Sequence, residues 1–163
     1  MDARSFETLP AEDSAGTNPP LQARRRSYFF TAAALLSLVG LADSIYLTVE
    51  HLAGRAIRCT ITSGCEEVLS SAYATVAGVP LAALGALAYF IAFSLAILAA
   101  FENRAAANAM LYLTGLMFAV SVYLFVLQAF VLHAFCQFCL LSGAVTLLLS
   151  LVVAVERFYF RRR

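Results

Sequence analysis

Four cysteines carry the chemistry this sequence offers: Cys59 and Cys65 as a spaced pair, and Cys136 and Cys139 in the tight run Cys136-Gln137-Phe138-Cys139. Two thiols three positions apart close a disulfide with little backbone movement, and the acidity of one as a leaving group sets the reactivity of the other. A redox pair is the first reading. In a soluble protein the same CxxC would suggest a thioredoxin-like site or half a zinc knuckle, but a thioredoxin-like site opens a helix in a βαβ unit, and none is legible here. Four thiolates suffice for tetrahedral zinc, and two plain disulfides could hold a loop in place. The spacing of Cys59 and Cys65 is wider than a usual knuckle, which favours exchange between the pairs over metal binding.

The elements that position these thiols are apolar. Of 163 residues, 62% are hydrophobic and 13% charged, whereas a soluble domain is roughly 45–50% apolar and about a quarter charged. The excess must face lipid. Four spans follow from the hydropathy, over residues 28–49, 79–101, 105–132 and about 140–155, the last one extended back to start at or before Cys136 because sixteen residues are short for a crossing. Pro80 falls in the first turn of the second span, where its missing N–H costs nothing. The arginine triplet before the first span resembles the start of a signal peptide, but the apolar run is too long for an h-region, so a retained span is expected.

Charge orients the bundle. All eleven basic residues are arginines. Arg24, Arg25, Arg26, Arg104, Arg157, Arg161, Arg162 and Arg163 fall on one side of a four-span arrangement, and only Arg55 and Arg58 on the other. Both termini are then cytoplasmic, and loop 50–78 shares the outer, oxidising face with the CxxC. The expected fold is an all-α integral membrane protein: a four-transmembrane-helix bundle with a short amphipathic helix in the outer loop. Residues 1–26 read as a flexible cytoplasmic tail, 27–158 as the membrane redox domain and 159–163 as a basic cytoplasmic end. The arginines sit at segment ends and form no aromatic-interleaved face, so no nucleic-acid partner is expected.

Within the outer loop, Val68, Leu69, Ala72 and Tyr73 make one apolar face of a short helix capped near Thr62 or Ser63, with Cys65, Glu66 and Glu67 in its first turn. A loop pair beside a pair fixed at the membrane boundary could pass electrons by thiol–disulfide exchange from a soluble dithiol to a lipid-soluble acceptor, for which a quinone is the chemical candidate. Cys136 would lie nearer the loop and Cys139 nearer the hydrocarbon. A small thiol reaching Cys136 directly would bypass the loop pair.

The combination resembles the vitamin K epoxide reductase family in its bacterial branch. The resemblance rests on Gly40-Leu41-Ala42-Asp43-Ser44-Ile45-Tyr46 followed by His51, on Cys59 and Cys65, on Ser71-Ala72-Tyr73-Ala74 leading to Gly78-Val79-Pro80, and on the CxxC. It implies a four-helix bundle around a quinone, menaquinone or ubiquinone, as electron acceptor. By matching position, Cys59 would form a mixed disulfide with a thioredoxin-fold partner, Cys65 would attack Cys136, and Cys139 would pass electrons to the quinone. Ser71 would hydrogen-bond beside the relay. Many bacterial relatives append a fifth span and a thioredoxin-like domain; this chain stops at Arg163, so a separate secreted or membrane-anchored partner is expected, at the inner (cytoplasmic) membrane. The mammalian epoxide-reducing members carry a tyrosine shortly after the CxxC, where this chain has Leu140-Leu141-Ser142-Gly143-Ala144. Vitamin K or its epoxide as substrate is the alternative, and a structural or zinc-binding module with non-catalytic cysteines is a third reading.

Among other polar residues, Asp43 lies about two turns from the outer end of the first span and must face the bundle, be protonated or find a partner. His133, three residues before Cys136, would stabilise a thiolate or assist quinone protonation if turned inward. Gln128 reads as an ordinary cross-helix amide.

Overall fold

The computed structural model describes residues 21–55, 59 and 64–161. Residues 1–20 of the expected polar tail and the expected capping residues Thr62 and Ser63 lie outside the described residues, whereas residues 21–26 of that tail open the first helix. In chain order the elements are α1 (Leu21–Leu52), the short α2 (Cys65–Ser70), a 3₁₀ turn (Ala72–Ala74), β1 (Thr75–Val76), β2 (Val79–Pro80), α3 (Leu81–Ala100), α4 (Arg104–Leu127), a π turn (Gln128–Leu132) and α5 (Gln137–Arg161). Four stretches, Arg26–Leu52, Leu81–Ala100, Arg104–Leu132 and Gln137–Phe158, are long and apolar enough to cross a membrane. At ~1.5 Å per residue even the shortest covers the ~30 Å of a hydrocarbon core. The protein is thus the all-α, four-span bundle that the hydropathy predicts.

α1 and α4 each pack against both α3 and α5, so the four long helices close a ring. The closest seam lies between α1 and α3, where small residues recur every three or four positions. Ala33, Ser37, Gly40 and Ser44 on α1 are buried, as are Ala92, Ala96 and Ala99 on α3. Lipid tails are as apolar as leucine, so small side chains that bring backbones together supply the attraction. Gly40 is required here: an added Cβ would run into the Tyr89 ring. Gly115 and Gly143, by contrast, face open space. Large apolar side chains such as Leu35, Leu87, Leu116 and Leu148 point outward.

The two ends of the bundle differ. At one end, Phe30, Ala99, Ala106, Met110 and Val153 form a dry cluster. There Arg26 Nε donates to Glu156 Oε1 at 2.8 Å, tying the start of α1 to the end of α5. Asn103 Oδ1 accepts from Ala106 N–H at 3.1 Å and caps α4 at the same end. Arg26, Arg104 and Arg157 therefore share one end. At the other, Leu47, Cys65, Val68, Ala134 and Cys136 are buried together, with Cys59 and Cys139 against them.

Local chemistry moves several element boundaries away from expectation. Residues 75–80 form a two-residue hairpin, with Thr75 opposite Pro80 and Val76 opposite Val79. Its turn puts Ala77 (φ 51°) and Gly78 (φ 81°) in the left-handed region, as a tight hairpin turn demands. Val79 and Pro80 consequently belong to β2, and α3 starts at Leu81 rather than at Val79. Gly64 stands at the N-cap position of α2. α5 begins at Gln137, so the helix does not include Cys136; the Cys136 carbonyl accepts the first helical bond, from Leu140 N–H at 3.0 Å. The α5 helix continues to Arg161.

Candidate functional site

Three cysteine sulfurs converge at the cysteine-bearing end. Cys59 and Cys65 are disulfide-bonded, with 5.6 Å between their Cα atoms, and Cys136 and Cys139 are free thiols. The sulfurs of Cys59, Cys65 and Cys136 lie within 4.8 Å of one another. Cys65 and Cys136 are buried and Cys59 is partly exposed. This proximity is what thiol–disulfide exchange needs. Three such sulfurs could also hold a metal ion once reduced.

Two residues set this convergence. Gly64 places the start of α2 directly on the strand of chain before α5: a Cβ there would lie 2.8 Å from Phe135 N and 2.9 Å from Ala134 Cβ. Any larger residue would hold Cys65 off Cys136. From the other side, Gln128 is 4% exposed and its Oε1 accepts from Cys136 N–H at 3.0 Å. The Gln128 carbonyl also accepts from Ala134 N–H at 3.3 Å. The π turn at Gln128–Leu132 and the left-handed His133 (φ 50°) bring the chain back onto this amide. One glutamine thus clamps the segment ahead of the CxxC through its backbone and its side chain.

The Cys136 thiol is held below its ordinary value, at about 7. The main cause is a hydrogen bond from the Cys139 side chain, supported by the backbone N–H groups of Cys139 and Phe138 in the first turn of α5. Burial opposes it, and a charge on Asp43 would oppose it too. Unpaired N–H groups at a helix start favour a thiolate, so Cys136 is built to be both nucleophile and leaving group. Glu66 and Glu67 are exposed, directed away from the buried Cys65.

Below the cysteines lies a cavity of about 610 Å³, a size suited to a small-molecule ligand. Its wall is largely apolar and includes Cys139, Asp43, Tyr89, Gln128 and Ser142. Cys139 therefore faces the cavity while Cys136 faces the disulfide. Tyr89 O–H lies 2.9 Å from the Ser142 carbonyl, 3.0 Å from Ser142 Oγ and 2.8 Å from Thr146 Oγ1, pinning α3 to α5 across the cavity floor. Phe138, between the two cysteines, packs on Tyr46 of α1 with ring centroids 5.4 Å apart. An apolar chamber with a thiol in its wall suits a lipid-soluble small molecule.

The remaining sequence candidates are placed as follows. Asp43 lines the cavity, and its Oδ2 is buried with no hydrogen-bond partner. Ser71 lines the cavity too, but its hydroxyl donates to the Val68 carbonyl at 2.7 Å and closes the end of α2. His133 is exposed and is not among the residues lining the cavity. Gln128 and Gly64 are what sequence reasoning missed. The available signal for Gln128 was an amide deep in an apolar span, eight residues before Cys136.

A four-span bundle whose reactive thiols gather at one end, over an apolar chamber, defines a membrane-embedded thiol–disulfide redox protein. The sequence profile of the vitamin K epoxide reductase family matches residues 31–154. The chain belongs to that family.

Proposed function

We propose that the protein is a thiol:quinone oxidoreductase that oxidises the dithiol of a separate thioredoxin-fold protein and reduces a membrane quinone to quinol. The carrying observation is the continuous line of sulfur from the partly exposed Cys59, through Cys65 and Cys136 within 4.8 Å, to Cys139 in the cavity wall. A partner thiolate attacks Cys59, forming a mixed disulfide and releasing the Cys65 thiolate. Cys65 attacks Cys136 of an oxidised CxxC, which releases the Cys139 thiolate. The partner's second thiol then frees Cys59, and Cys59 attacks Cys65, restoring the loop disulfide and releasing Cys136. Two electrons and two protons have passed from the partner to Cys136 and Cys139, the arrangement present in this structure. The CxxC dithiol then closes to a disulfide as quinone becomes quinol.

The arginines at the opposite end from the cysteines support an orientation with both termini cytoplasmic and the cysteines on the outer face. Quinol formation with a reduced thioredoxin-fold protein, compared in the wild type and Cys139→Ala, tests the reading. Equal rates in the two would refute it.

A second reading, vitamin K or its epoxide as the substrate, is favoured by the family description. The same cavity and the same cysteines would serve it, and conversion of the epoxide by the dithiol-driven protein decides between the two. A zinc-binding module is supported by the three close sulfurs alone; stoichiometric zinc in freshly prepared protein without redox-active thiols would establish it.

A further inference from the structure

Among the described residues, the buried side-chain oxygen without a hydrogen-bond partner is Asp43 Oδ2, and Asp43 lines the cavity. Asp43 lies nine residues before the end of α1 at Leu52, roughly 13 Å along the helix axis at ~1.5 Å per residue. The other acidic side chains in the α1 and α5 spans are paired, Glu50 with Arg55 and Glu156 with Arg26. No hydrogen bond reaches the buried Asp43 Oδ2. A bare buried acceptor is destabilising, the more so in a membrane, so a fold keeps one where a ligand completes it.

Several other polar side chains of the wall are engaged. The Tyr89 hydroxyl is held by Ser142 and Thr146, Gln128 Oε1 by Cys136 N–H, and the Ser71 hydroxyl by Val68. His51 and Tyr73 also line the cavity, from the last turn of α1 and from the 3₁₀ turn. Quinone reduction needs protons as well as electrons, and water is scarce in an apolar chamber. We infer that Asp43 is the acid of this site: its protonated carboxyl hydrogen-bonds a quinone carbonyl oxygen and delivers a proton as electrons arrive from the CxxC. This rests on the thiol:quinone reading above.

The step balances. Two S–H bonds break and one S–S bond forms, oxidising Cys136 and Cys139 by two electrons; two O–H bonds form on the quinone, which is reduced by two. Asp43 gives one proton to the oxygen and recovers one from the thiols, ending as it began.

The test is made on the full-length protein in lipid nanodiscs, with a short-chain naphthoquinone as probe. The chain has three aspartates, and the other two, Asp2 and Asp13, belong to the polar N-terminal stretch. Aspartate-selective ¹³C labelling therefore identifies a buried protonated Asp43 carboxyl by infrared difference spectroscopy with no substitution made. Its carbonyl band is expected to shift when quinone is added to protein whose cysteines are alkylated and inactive. In Asp43→Asn, kcat for quinol formation is expected to fall about 100-fold, the lower range for loss of a general acid, with KM within about threefold and transfer from the loop pair to the CxxC unchanged. Asp43→Glu, which keeps the carboxyl, is expected to recover at least about tenfold of that loss. A band indifferent to quinone, or an Asn variant within about twofold of wild type, overturns the role of Asp43. A wild type that reduces no quinone refutes the proposed function itself, a result distinguishable from either.

Discussion

Replacing Gly64 with alanine tests whether contact between the loop helix and the CxxC segment is what carries electrons. The Gly64 backbone (φ −95°, ψ 7°) suits any residue, so the effect of a methyl group is steric. The new Cβ would lie 2.8 Å from Phe135 N, 2.9 Å from Ala134 Cβ and 3.0 Å from Phe135 O, where ordinary contact begins at 3.4 Å. Two of these atoms are backbone and cannot swing aside. The start of α2, carrying Cys65, must retreat by about 0.6 Å, at a strain of about 1–3 kcal/mol. A misplacement of 1 Å can cost about a hundredfold in rate, so 0.6 Å corresponds to roughly a ten- to twentyfold loss. The assay starts from protein oxidised at both pairs in lipid, pulses it with dithiol, quenches with acid and counts free thiols at each pair by mass-tagged alkylation. The variant should accumulate a reduced loop pair while the Cys136–Cys139 disulfide persists. Wild-type transfer in a variant of native helicity would refute the contact as the electron path.

Three further outcomes follow from the same geometry. Gln128→Leu leaves the buried Cys136 N–H without its acceptor, at a cost of about 1–3 kcal/mol; hydrogen exchange at that amide should quicken and the unfolding midpoint should fall, and native protection in the variant would contradict the clamp. With both CxxC thiols reduced, the Cys136 thiolate should appear through pH 7 rather than near the ordinary 9.0, as followed by thiolate absorbance. The folded value lies below the unfolded one, so ionised Cys136 adds stability that is complete above about pH 9 and is lost as pH falls through 7. Cys139→Ala removes the main donor and should move that midpoint upward; an unmoved midpoint would assign the effect to the helix start instead. Arg26→Ala strips the cation from Glu156, which is 5% exposed, and should destabilise by about 3–5 kcal/mol, whereas Arg26→Met with Glu156→Met should restore most of it; thermal unfolding in detergent that leaves the single variant unaffected would remove the pair from the account.

The architecture was legible because a membrane leaves few options. Hydropathy fixes four crossings, an even number returns the chain to its starting side, and all four cysteines then fall at one end. The structure's Arg26–Glu156 pair joins the two ends that this arithmetic puts together. What could not be read depends on small departures from regular helix. Gln128 gains its role only because the last turn of α4 widens to a π turn and His133 turns left-handed, and neither leaves a periodic trace in an apolar run. Gly64 looks like any loop glycine until Phe135, seventy-one residues later, is found against it. Residues 79–80 read as the start of a helix because Pro80 suits that position, yet two-residue strands are too short to show alternation.

Burial decides where electrons enter. Cys136 is 0% exposed and Cys65 1%, whereas Cys59 remains partly open. A thiol from solution therefore cannot reach Cys136 past α2 and the loop disulfide, and the direct shortcut that spacing alone allows is closed in this state. On the proposed reading, small and protein dithiols alike would begin at Cys59. The same cover keeps the Cys136 sulfur from oxidants in solution. Cys139 meets the other side of this barrier, in the cavity wall with the unpartnered Asp43. In the proposed relay, direction would thus come from access: Cys59 meets solution, Cys136 the loop disulfide and Cys139 the cavity.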